Sequence, residues 1–70
     1  MEGKKIVGLV ISKLELDEDL SVYEYMVRMP NRTIEKFRVR TSAINVGNKV
    51  QLGEVVNENN EKRFKILKIV

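Results

Sequence analysis

Through nearly all of residues 5–70, apolar and polar side chains alternate with a period of two, and no window sustains a period of 3.6. The segment Glu35-Lys36-Phe37-Arg38-Val39-Arg40 shows the pattern at its cleanest. Alternate residues of an extended strand point to opposite faces. A chain patterned this way folds as sheet, and the turn-rich breaks divide it into five strands over residues 5–16, 21–29, 33–41, 49–56 and 62–70. The breaks are Asp17-Glu18-Asp19, Pro30-Asn31-Arg32, the irregular stretch from Ser42 to Asn48, and Asn57-Glu58-Asn59-Asn60-Glu61.

The first strand is long. It is apolar on both faces at its start, alternates through Leu14 and Leu16, and carries Gly8 inside it. This is the expectation for a coiled strand shared by two sheets of a barrel. The last strand breaks alternation at Ile66-Leu67 and Ile69-Val70; a bulge or burial on both faces by a partner subunit would explain it, and burial against the first strand is the simpler account. Closing five strands into a barrel would also remove unpaired edges. The expected fold is therefore all-β, a small five-stranded barrel formed by residues 1–70 as one domain.

The segment Val46-Gly47-Asn48-Lys49-Val50 resembles the Val-Gly-Asp-x-Val lead into a strand found in oligonucleotide-binding (OB) and SH3-like barrels. The five-strand count resembles the OB-fold more broadly. The chain departs from that pattern at residues 42–48, which are too few for the helix that OB-folds commonly place between strands three and four. An SH3-like barrel is the alternative.

Strand parity decides what the surface shows. Placing the more apolar faces inside buries Tyr23, Tyr25, Val27 and Met29 of the second strand with Phe37 and Val39 of the third. Glu24, Met26, Arg28, Ile34, Lys36, Arg38 and Arg40 then face outward. A one-residue slip would exchange the faces. The tyrosines would join the arginines as a stacking platform, and Glu24 and Arg28 would be buried. The cost of burying unpaired charge favours the first register.

Net charge is +3, and the charges are segregated. Glu15, Asp17, Glu18, Asp19 and Glu24 occupy one stretch, and Arg28, Arg32, Lys36, Arg38 and Arg40 the next, with Glu35 the single anion among them. Lys62, Arg63 and Lys65 would extend the basic track if strand five lies beside strand three, as OB topology implies. Such a track neutralises phosphates without reading sequence. The expected partner is nucleic acid, single-stranded in preference to duplex, contacted through Arg28, Arg32, Lys36, Arg38, Arg40, Lys62, Arg63 and Lys65. The alternative is an acidic protein surface, reached by electrostatic docking. Oligomeric state stays open. The bland reading of the stripe is a solvated sheet face with cross-strand ion pairs such as Glu24 with an arginine.

Other classes are disfavoured by composition. The chain has neither Cys nor His, which removes disulfides, Cys/His zinc sites and His-based acid–base catalysis. The acidic stretch lacks the ligand series and turn glycine of a calcium loop. No phosphate-binding glycine motif occurs. No enzyme activity, cofactor or metal is expected. The apolar run from Ile6 to Ile11 is too short to span a bilayer. The lysines before it, Lys4 and Lys5, are not followed by a cleavage site, and Glu2 does not suit myristoylation. A cytoplasmic protein without membrane association is the expectation.

Overall fold

The computed structural model describes residues 5–70; Glu2 and Lys4 lie outside the described residues. Five antiparallel strands form one sheet: β1 (Lys5–Asp17), β2 (Val22–Arg28), β3 (Ile34–Val39), β4 (Lys49–Val56) and β5 (Lys62–Ile69). The spatial order is β3-β2-β1-β4-β5. Strand β1 is shared between two neighbours within this one sheet, not between two sheets of a barrel. Its first half, from Lys5 to Leu9, pairs with β4, and its second half, from Leu9 to Asp17, pairs with β2.

The sheet is not closed. β3 and β5 are its two edges, and no ladder joins them. The sheet nevertheless curls, because residues of both edges pack on one core. That core is Val10, Tyr25, Val27, Met29, Ile44, Val50 and Leu52, with Phe37 and Val39 of β3 and Phe64 and Ile66 of β5 against it. A ladder between the edges would set Lys36 and Arg38 of β3 beside Lys62, Arg63 and Lys65 of β5. Like charges on adjacent strands repel, and edge cations are a common means of keeping strands from pairing. The all-β, five-stranded expectation is thus met, and the closed barrel is not, because the sheet stays open between β3 and β5.

The apolar face of β2 and β3 is the one expected. Tyr25, Val27 and Met29 are buried, while Tyr23, Phe37 and Val39 are half-buried. In β1 the outcome differs. Ile11 has no partner between the pairs Val10↔Val27 and Ser12↔Met26, so β1 bulges there. One extra residue exchanges the faces of everything after it. Before the bulge, Ile6, Gly8 and Val10 face the core. Past it, Lys13 lies opposite Tyr25 and Glu15 opposite Tyr23 on the concave side. Leu14 and Leu16, expected to continue the apolar face, are instead 55% and 43% exposed. A second shift in the β1–β2 ladder leaves Leu16 unpaired, and a third, in the β4–β5 ladder, leaves Leu67 without a partner, which accounts for the broken alternation of the last strand.

The connector between β3 and β4 has no helix. Its buried residue is Ile44, which plugs the core. Gly47 turns the chain at φ 95°, and its N–H donates to Val10 O at 2.9 Å, while Val10 N donates back to Asn48 O at 2.9 Å. Asn48 Oδ1 accepts from Asn45 N at 2.7 Å. The Val-Gly-Asn segment therefore fastens the connector to the bulged part of β1, and the Asn side chain supplies the acceptor that closes the turn.

The three hairpins share one turn geometry. In each, the fourth residue donates its N–H to the first: Ser21 to Glu18, Arg32 to Met29 and Asn60 to Asn57. In each, that fourth residue is left-handed, with φ of 53°, 72° and 61° respectively. Glycine is the usual occupant of such a site. Asn tolerates the region, whereas a long side chain is strained there by roughly 1 kcal/mol or more. Arg32→Gly is therefore expected to raise stability by about 1 kcal/mol in urea denaturation, despite loss of a side chain. An unchanged or lower midpoint would show that Arg32 makes a compensating contact.

Candidate nucleic-acid interface

Cross-strand register sorts the predicted cations into rows on the convex face. Arg28 lies between Leu9 and Ile34, Lys36 follows Met26 and Ser12, and Arg38 follows Glu24 and Leu14. The stripe is therefore interleaved with apolar residues, of which Leu14 and Ile34 are well exposed. Arg38 is already paired: its Nε donates to Glu24 Oε2 at 3.2 Å. This is the cross-strand pair of a solvated sheet. With the Arg38 side chain largely exposed, it adds at most about 1 kcal/mol, but it takes one cation partly out of a phosphate track. Arg32 sits apart in the β2–β3 turn. Arg40 falls one residue past the end of β3, so it leaves the strand-bound row.

The cations come together elsewhere. Although β3 and β5 are opposite edges of the sheet, curling brings them to the two sides of one open cavity of about 450 Å³, lined by Glu35, Lys36, Phe37, Lys62, Arg63 and Phe64. Register separates this lining into two layers. Glu35 lies opposite the buried Val27, Phe37 opposite Tyr25, and Phe64 opposite Glu54, which places them on the concave side with Lys62. Lys36 and Arg63 belong to the convex rows and form the rim. Arg63 reaches Glu61 at 3.6 Å; among the described residues, Lys36, Lys62 and Glu35 have no ion-pair partner. Lys65 continues the rim row of β5, two residues along from Arg63. Of the eight predicted site residues, Lys36, Lys62 and Arg63 thus meet at one place, while Arg28, Arg32, Arg38 and Arg40 spread over the face and turn of the β2–β3 hairpin.

The two phenylalanines of this cavity are absent from the cation-based prediction. Phe37 reads from parity as core, and Phe64 as one more alternating apolar residue. Nothing in the periodicity distinguishes a core position under a paired strand from one beside an open edge.

The tyrosines lie next along the concave side, Tyr25 being the cross-strand neighbour of Phe37. Their rings lie 6.1 Å apart at 26°, and Lys13 Nζ stands 5.0 Å from the Tyr23 centroid and 5.9 Å from that of Tyr25. Lys13 also donates to Ser42 O at 2.8 Å and Asn45 Oδ1 at 3.2 Å, tying the connector to β1. Tyr25 OH donates to Thr41 O, and Tyr23 OH donates to Glu15 Oε2 at 2.9 Å. The Glu15 bond raises the Tyr23 pKa, since losing the proton would leave two facing anions; burial raises that of Tyr25. Both hydroxyls stay neutral at physiological pH and serve as donors. The hydroxyls of both tyrosines and the Lys13 ammonium are thus engaged in contacts within the fold.

Two side chains of the acidic segment are also engaged. Glu15 accepts from Tyr23, and Asp17 Oδ1 accepts from Leu20 N at 3.1 Å within the turn. Among the described residues, no group of three or more His, Cys, Asp or Glu side chains is placed to hold a metal ion. Likewise, no helix among them is long and apolar enough to cross a membrane. No family model, curated protein or solved structure matches this chain.

Proposed function

We propose that this chain is an OB-like nucleic-acid-binding module that grips phosphates along the open seam between β3 and β5, with little sequence specificity. The observation that carries the proposal is the single cavity to which β3 contributes Lys36 and β5 contributes Lys62 and Arg63. Three cations from two strands, with one anion among them, concentrate positive potential in a concave site. The order β3-β2-β1-β4-β5 supports the OB-like reading, because β1 is shared between β2 and β4 and the third and fifth strands are left to face each other. OB modules bind oligonucleotides on such curled sheets. The acidic β1–β2 turn, with Asp17, Glu18 and Asp19, would repel a phosphate, so the strand is expected to follow the seam away from that turn.

Fluorescence anisotropy with labelled oligonucleotides at several salt concentrations tests this. Binding should weaken with salt on a log–log slope of roughly −3 to −5. The variant with Lys36, Lys62 and Arg63 replaced by Ala should flatten the slope by about 2. Absence of binding at low salt by folded protein would exclude the proposal.

A second reading has its own support. Leu9, Leu14 and Ile34 are exposed on the same convex face as Arg28, Lys36 and Arg38. Apolar side chains set among cations suit docking onto an acidic protein surface. It becomes the leading reading if the oligonucleotide titration is flat.

A further inference from the structure

The geometry points to a base-binding subsite at the β3–β5 seam, where a nucleobase turned out of a single strand stacks on Phe37 and Phe64. This rests on the phosphate-binding reading above and goes beyond it, because it makes the module selective for single strands over duplex.

Three observations carry the subsite. First, the cavity is walled by one aromatic from each edge strand, Phe37 and Phe64, and both are only half-buried. The same Phe64 lines a second cavity of about 260 Å³ with Ile6, Met29, Pro30 and Asn31, so its ring is bordered by open space on more than one side. Second, the volume of about 450 Å³ lies within the range of about 300–1,000 Å³ typical of small-molecule sites. That leaves room for one nucleotide and none for a base pair held in a helix. Third, charge is layered. Lys36 and Arg63 stand at the convex rim, while Glu35 and Lys62 lie on the concave side with the two phenylalanines. A phosphate is drawn to the positive rim, while inside the cavity Glu35 offsets Lys62 and leaves no net pull on it. A neutral base has the opposite preference, since its faces match the aromatic walls. The lining therefore orients a nucleotide with its phosphate outward and its base inward.

The open seam is what makes this available. In a closed ladder, β3 and β5 would pair, and Phe37 and Phe64 would be sealed beneath them. Here the unpaired edges leave a slot whose walls are the core's own aromatics. A base in a duplex is stacked and paired and presents no free face, so only a single strand can fill the slot.

The test compares the wild-type protein with Phe37→Leu and Phe64→Leu, using a labelled twelve-nucleotide single strand and a duplex of the same length. Circular dichroism and melting temperature show that each variant is folded. The wild type should prefer the single strand. Each leucine variant should bind it about tenfold more weakly, or worse, with the duplex affinity unchanged. Because the chain has no Trp, Phe64→Trp places a sole tryptophan in the wall. Its fluorescence should be quenched by the single strand and not by the duplex or by heparin. Full affinity of both leucine variants for the single strand, with no quenching at position 64, overturns the subsite while leaving phosphate binding intact. If the wild type binds neither nucleic acid, the phosphate-binding reading and the subsite fail together.

Discussion

Gly8→Ala is expected to lower the melting temperature by about 10–20 °C, and Gly8→Val to leave the chain largely unfolded. A Cβ on Gly8 would stand 2.4 Å from Val27 Cγ1, 3.1 Å from the Arg28 carbonyl oxygen and 3.3 Å from Leu52 Cδ1. Val27 and Leu52 are both fully buried, and Val27 is β-branched with little rotamer freedom, so neither can turn aside into solvent. Overpacking of this kind typically costs 1–3 kcal/mol. A domain this small has only about 3–5 kcal/mol from its core, and each kcal/mol shifts its melting point by roughly 4–8 °C. The sign is the decisive part. Gly8 has no left-handed φ, so conformational entropy alone would make alanine stabilising by about 0.4–1 kcal/mol. Thermal melts followed by circular dichroism distinguish the two. Pairing Gly8→Ala with Val27→Ala should cost less than the sum of the single changes by about 1 kcal/mol or more, because the second removes the atom that the first strikes.

Ile44→Ala is expected to cost about 2–4 kcal/mol, and Ile44→Val only about 1 kcal/mol. This residue lies in the irregular connector, yet it is 4% exposed and belongs to the same buried cluster as Val10 and Leu52. Its seat is held from outside by Lys13 reaching Ser42 O, Tyr25 reaching Thr41 O and the reciprocal backbone bonds between Val10 and the Gly47-Asn48 turn. With the backbone tethered, the connector cannot settle into the space a smaller side chain leaves, so the cavity persists. Urea denaturation with an unchanged m-value is the measurement. A loss below 1 kcal/mol for Ile44→Ala would show that the connector relaxes into the gap and is not part of the core.

Ile44 marks a limit of reading by periodicity. Alternation finds core residues only where the chain is extended, and residues 42–46 carry no repeat. Lys13 and Glu15 mark a second limit. They sit on the concave side because β1 bulges at Ile11, and a bulge is one uncounted residue in a run of otherwise ordinary strand. The sequence contained the disturbance only as an apolar stretch that suits either face. The site shows a third. Lys36, Lys62 and Arg63 are each legible as exposed cations on strands, but their meeting depends on how far the sheet curls. That curl comes from packing the two edges on one core, which no local pattern records.

Local pattern alone determined that this chain is all-β, with five strands, a long shared first strand and an inward apolar face on β2 and β3, because strand geometry gives each residue a side by counting. It also determined the segregation of charge, since that is written directly in residue order. Tertiary structure alone decided that the sheet stays open between β3 and β5, that Leu14 and Leu16 face outward, and that two phenylalanines and three cations share one cavity. These outcomes depend on register, bulges and curvature. All three are set by contacts between residues far apart in the chain, where a shift of a single residue reverses which side chains meet.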